Sequence, residues 1–191
     1  MPLPVFDPDS LYFIPLGGSG EIGMNMNLYH YKGKWLIADL GAMFGDDASP
    51  LGVDVTMPDP RFIERLKDDL VGCVITHGHE DHIGLSMPRV ACIVPIFMSA
   101  GAIPWLWPRL RCPVFATPLT ANMIRRRLED ASLHHQVTPH LIVSNQFSHA
   151  LKVPMNVVQP LDSVQIGPFH VTWQPMTHSI PESQALVIRT A

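Results

Sequence analysis

Charge is scarce in this sequence. Asp, Glu, Lys and Arg together make up 16% of the residues and the formal net charge is −4, so composition gives no basic signature of a nucleic-acid binder. Cysteine is nearly absent: Cys73, Cys92 and Cys112 are an odd set at irregular spacing. That fits reduced thiols in a cytoplasm better than a disulfide framework. The opening residues, MPLPVFDPDS, carry neither the basic n-region nor the apolar h-region of a secretory leader. There is no internal repeat, low-complexity tract or long linker. One stretch, residues 90–107, is free of charge. Pro95 and Pro104 interrupt it, and Arg89, Arg109 and Arg111 bracket both ends, which argues against a membrane span. What is plentiful is apolar. Hydrophobic residues reach 47% of 191, enough for one domain with a real core.

The first motif is a decoy. In FIPLGGSGEIGMN, residues 13–25, Gly18, Gly20 and Gly23 spell G-x-G-x-x-G after an apolar run, and Asp39 follows at about the spacing of a dinucleotide fingerprint. That fingerprint needs a helix after its glycines, because the helix N-terminus holds the pyrophosphate. Here MNLYHY, KGK and WLIADLG read instead as two strands joined by a tight turn. The glycines therefore serve a strand-to-strand turn, where crowding excludes a Cβ.

Elsewhere the elements are short, as the proline content demands. A strand is expected over residues 11–16 and a helix over 59–69, with Pro60 in its first turn. VGCVIT, 71–76, and CPVFAT, 112–117, read as apolar strands. Residues 117–133 read as a helix capped by Thr117. The tail reads as strands at 141–143, 156–159, SVQIG, FHVTWQPM and ALVIRT, with Gly167-Pro168 as a turn.

The chemistry concentrates in THGHEDHIG, residues 76–84. His77, His79, Asp81 and His82 crowd the end of a buried strand, and imidazole nitrogen and carboxylate oxygen both suit zinc. In a tight loop His77 and His79 can converge on one ion while Asp81 and His82 face a neighbouring one. Two such ions can stabilise a displacement at phosphorus or carbonyl. The other histidines (His30, His134, His135, His140, His149 and His170) lack supporting spacing and read as structural or exposed. Arg125, Arg126 and Arg127, with Arg109 and Arg111, could contact phosphates, although a solvated helix face explains them more simply.

H-x-H-x-D-H after an apolar strand resembles the signature of the metallo-β-lactamase superfamily. GGSGEIGMNM, IADLGAMF, ITHGHEDHIG, PVFATPLT and THSIPES, in that order, resemble the N-terminal part of ribonuclease J. The resemblance implies an α/β fold, an αββα sandwich with two zinc ions at one edge, and single-stranded RNA as substrate. It implies His77, His79 and His178 as ligands of the first zinc, and Asp81 and His82 as ligands of the second. Asp81 would also polarise the attacking water, and Asp39 would orient the metal loop from behind.

Two departures from the family accompany these matches. The family's bridging aspartate, a further histidine ligand, the β-CASP domain and the closing half of the sandwich have no counterpart here. Residues 1–191 are thus expected to be a partial metallo-β-lactamase domain, its N-terminal half. Exposed apolar sheet would then favour a homo-oligomer or a complementing chain. Residues 85–101 read as an insertion between the metal loop and a helix resembling AIPWLWPRL. Glu182 could lend an oxygen to the second zinc. The expected function is zinc-dependent hydrolysis of RNA phosphodiesters, in a cytoplasmic protein with no membrane partner. The rivals are a non-catalytic remnant holding one metal or none, and a hydrolase of small esters or thioesters on the same fold.

Overall fold

The structure is a computed structural model that describes residues 4–44, 55–84, 102–137 and 152–191. The expected strand at 141–143 and the insertion at 85–101 lie outside the described residues. A six-stranded sheet forms the centre. Its strands are β1 (Tyr12–Gly17), β2 (Met26–Tyr31), β3 (Lys34–Ala38), β6 (Leu70–Val74), β7 (Val114–Ala116) and β8 (Met155–Val157), lying side by side in that order. Strands β1 to β3 form an antiparallel meander, and β3, β6, β7 and β8 run parallel. A second sheet has three antiparallel strands, β9 (Ser163–Ile166), β10 (Phe169–Pro175) and β11 (Gln184–Thr190), with β10 in the middle. A small ribbon pairs β4 (Met43–Phe44) with β5 (Val55–Thr56).

The alternation of side chains along β3 explains the layering. Trp35 and Ile37 point into one core and Leu36 and Ala38 into another, and all four are buried. A strand apolar on both faces must be covered on both. One face is covered by the helices: α1 (Arg61–Glu64), α2 (Glu80–Ile83), α3 (Ala102–Leu110) and α4 (Pro118–Val137) contribute Ile63, Ile83, Ile103 and Ile124 to the first core. The other face is covered by the small sheet, through Ile166, Phe169, Val171 and Trp173. Each of these side chains contributes roughly 1.5–3 kcal/mol by leaving water. The result is a helix–sheet–sheet sandwich.

Most expected elements form, with shifted ends. The glycine run turns β1 into β2, and β2 and β3 form the expected hairpin across KGK. The helix expected over 59–69 does not form as one piece. It makes a single turn at Arg61–Glu64, then a 3₁₀ turn at Lys67–Asp69. Leu66 leaves the helical region with φ −118° and ψ 14°, because the chain must extend at Leu70 to pair with Trp35. Helix α4 starts at Pro118 as expected, with Thr117 before it. No helix among the described residues is long and apolar enough to cross a membrane.

Candidate metal centre

The site gathers where the parallel strands end, the usual place for a crevice in an α/β sheet. Asp39 directly follows β3, and Thr76 and His77 follow β6. Asp39 takes a left-handed backbone with φ 65°, a conformation Asp tolerates better than most residues. That turn buries the side chain, which is 4% exposed. Its Oδ1 accepts the Thr76 backbone N–H at 2.9 Å, and its Oδ2 faces Thr76 Oγ1 at 3.0 Å and His82 Nδ1 at 2.7 Å.

These contacts assign the tautomers. His82 donates Nδ1–H to Asp39, so in the neutral ring its Nε2, 3.5 Å from Asp81 Oδ2, is bare. Thr76 Oγ1 donates to Asp39 and accepts from His77 Nδ1 at 2.9 Å, so His77 Nε2 is bare as well. A carboxylate behind an imidazole that presents its free nitrogen outward is the usual support of a metal ligand. Asp39 thus sets two rings, one directly and one through Thr76. The spacing of the motif gave no sign of Thr76, although it lies beside His77 in the sequence.

His77, His79 and His178 converge, with candidate ligand atoms all within 4.8 Å of one another. His79 Nδ1 lies 3.0 Å from His77 Nε2 and 3.1 Å from His178 Nε2. Tetrahedral zinc with Zn–N bonds of about 2.0–2.1 Å requires nitrogens roughly 3.3 Å apart, so this donor set fits zinc in kind and size. Among the described residues it is the one group of three or more candidate ligands. Asp81 and His82 form a neighbouring pair, and the His77 and His82 ring centroids are 4.1 Å apart.

Buried His77 and half-buried His82 are tuned in opposite senses. Burial, reinforced by His82, pushes His77 down to about 4. For His82 burial acts in the same direction, but the hydrogen bond and charge of Asp39, with Asp81, outweigh it and hold the ring above the ordinary histidine value. His77 is therefore neutral and ready to ligate at any physiological pH, while a cation beside His82 competes with a proton.

Asn25 is the residue the sequence did not single out. Its Nδ2 donates to the Asp81 carbonyl at 3.0 Å and to Asp81 Oδ2 at 3.2 Å, and its backbone N–H donates to the same carbonyl at 2.9 Å. Gly18, at φ 82°, explains part of the glycine run: a Cβ there would lie 2.1 Å from Asn25 Oδ1. Gly18 makes room for the side chain that braces the loop carrying Asp81. Glu182, weighed as a ligand, instead gives Oε2 to the Leu119 N–H at 2.8 Å. Arg109 is held by Glu64 at 2.6 Å and Arg127 donates to the Gly84 carbonyl, so neither is an open phosphate contact.

No family model matches the chain. In sequence it is similar to the ribonuclease J of Sinorhizobium meliloti, 35% identical over 188 residues that make up 95% of this chain and 27% of the relative. It is similar also to ribonuclease J 1 of Streptococcus pyogenes, 32% identical over 183 residues, 96% of this chain and 27% of that one. The ribonuclease J of Mycolicibacterium smegmatis is 32% identical over 190 residues, 99% and 28% of the two chains. The chain spans about a quarter of the length of these curated relatives. In structure it resembles a subclass B3 metallo-β-lactamase from a soil metagenome library, with TM-score 0.53, 16% identity, and 99% and 57% of the two chains covered. The MIM-2 metallo-β-lactamase gives TM-score 0.52 at 17% identity, over 94% and 54%. At those identities the likeness speaks for the fold alone, and the fold is that of a metallo-β-lactamase.

Proposed function

We propose that this chain, which is ribonuclease J-like and carries the N-terminal part of a metallo-β-lactamase domain, serves zinc-dependent hydrolysis of RNA phosphodiester bonds. The observation that carries the reading is the convergence of His77, His79 and His178 beside the Asp81–His82 pair. His77, His79 and His178 would hold one zinc, and Asp81 and His82 would contribute to a second. Zinc so held supplies Lewis acidity and lowers the pKa of a water toward neutrality. Asp39 fixes the orientation of His82, and through Thr76 that of His77. Asn25 donates to one carboxylate oxygen of Asp81 and so would orient that carboxylate toward the second zinc. The substrate would be single-stranded RNA. The free thiols of Cys73 and Cys112, both buried, fit a cytoplasmic setting.

A second reading also has an observation behind it. Among the described residues only one group offers three candidate ligands, and the Asp81–His82 pair gains no third. That favours a segment that binds one metal without turnover unless further ligands complete the second position. Zinc stoichiometry by elemental analysis separates the two, followed by cleavage of labelled single-stranded RNA. Two zincs and cleavage abolished by His77→Ala would support the hydrolase. One zinc and intact RNA would support the binding segment, and no zinc would remove both.

A further inference from the structure

His178 is the exposed member of the cluster. It sits in the loop joining β10 to β11, residues 176–183, about a hundred positions from its partners. The base of this loop is tied by Met176 N–H to the Ser183 carbonyl at 3.1 Å and by Gln184 N–H to the Thr76 carbonyl at 3.2 Å. Those bonds fix the ends of the loop but not its tip.

Glu182, next to Ser183 on the loop's C-terminal side, adds a tie to a second element. Helix α4 begins with Pro118, which has no N–H to offer, so Leu119 presents the first free amide. A Thr before a helix normally caps such an amide, but Thr117 Oγ1 instead donates to Thr120 Oγ1 at 3.1 Å. Glu182 fills the gap from 63 residues away, accepting the Leu119 N–H at 2.8 Å. It does so from a left-handed backbone at φ 59°, a conformation that persists only when its surroundings enforce it. A carboxylate at a helix N-terminus is favoured by both the free amide and the dipole. Packing follows the same line. Gly78 of the metal loop lies against both α4 and the His178 loop: a Cβ there would be 2.5 Å from Met123 Sδ and 3.4 Å from Ile180 Cδ1.

We propose that Glu182 is a positioning residue for the metal centre, pinning the His178 loop to the N-terminus of α4 so that His178 reaches the ion shared with His77 and His79. The proposal rests on the reading of these histidines as a metal site. It is tested by zinc affinity in competition with a chromophoric chelator, for wild type, Glu182→Ala and Glu182→Gln. Circular dichroism checks that each variant is folded. The expected result is a loss of about ten- to a hundredfold in affinity for Glu182→Ala, the usual effect of removing a group that orients a ligand. Glu182→Gln recovers much of it, because the amide oxygen still accepts from Leu119. Unchanged affinity in a folded Glu182→Ala overturns the proposal. So does a Glu182→Gln as weak as the alanine variant, the outcome for a direct ligand. Hydrogen exchange of metal-free protein gives a second readout. In Glu182→Ala the Leu119 amide and residues 176–183 should exchange faster while β3 and β6 stay protected. Absence of that change overturns the pin. A wild type that binds no zinc but shows the exchange effect overturns the metal reading while leaving the pin in place.

Discussion

Asp39 and His30 are both buried polar side chains, and their surroundings give them opposite parts. Asp39 makes every contact a buried carboxylate needs, to Thr76 and His82, and is built into the site. His30 is 5% exposed among the rings of Phe6, Tyr12 and Trp35, and its Nδ1 has no hydrogen-bond partner. Burial lowers its pKa from 6.5, against a weaker opposing pull from Asp69. The folded chain thus resists a proton that the unfolded chain accepts, so stability falls as pH drops below about 6.5. His77 acts in the same sense down to about 4, and His82 in the opposite one. Replacing His30 with Phe isolates its share. Thermal melts between pH 5 and 7.5 should decline less steeply for His30→Phe, by up to about 1.4 kcal/mol per pH unit.

At the scale of elements, the decisive contact is between the end of β3 and the metal loop. Gly41 N–H donates to the Asn25 carbonyl, Leu40 N–H to the His82 carbonyl and Ala42 N–H to the Glu80 carbonyl. The segment after β3 thereby grips the short helix α2 through its backbone as well as through the Asp39–His82 contact. A Cβ at Gly41 would fall 1.6 Å from the Asp81 carbonyl oxygen. Backbone cannot yield as a flexible side chain can, so Gly41→Ala should cost about 3 kcal/mol or more. Urea denaturation checks this. The same variant should lose zinc affinity, since Asp81 and His82 ride on the displaced turn. The hairpin signal in MNLYHY-KGK-WLIADLG was legible because alternation and turn chemistry are local. The break at Leu66 was not, because pairing of Leu70 with Trp35 decided it.

For the whole molecule, the candidate metal joins parts of the chain that only folding brings together. His77 and His79 follow β6 in the central sheet, and His178 precedes β11 in the small sheet. A cation bound across them favours the folded state over the unfolded one. At a hundredfold excess over its dissociation constant, zinc should add about 2.7 kcal/mol. For a chain of this size that raises Tm by roughly 5–10 °C. Scanning calorimetry with zinc and then with chelator measures the shift, and His178→Ala should abolish it while leaving the metal-free Tm nearly unchanged, because that side chain is exposed.

The metal loop was legible in the sequence because His77, His79, Asp81 and His82 lie within one turn of chain, where spacing alone limits geometry. The strands β2 and β3 were legible for the same local reason. His178 was named through a resemblance, since nothing in its own neighbourhood marks a ligand. Asn25 beneath Asp81, Thr76 between Asp39 and His77, and Glu182 on the amide of Leu119 emerged only in the fold. Each of these roles is a hydrogen bond whose partner is chosen by the packing of two sheets and a helix layer. A sequence lists donors and acceptors. The tertiary structure decides which are left unpaired by their own segment and which distant group satisfies them.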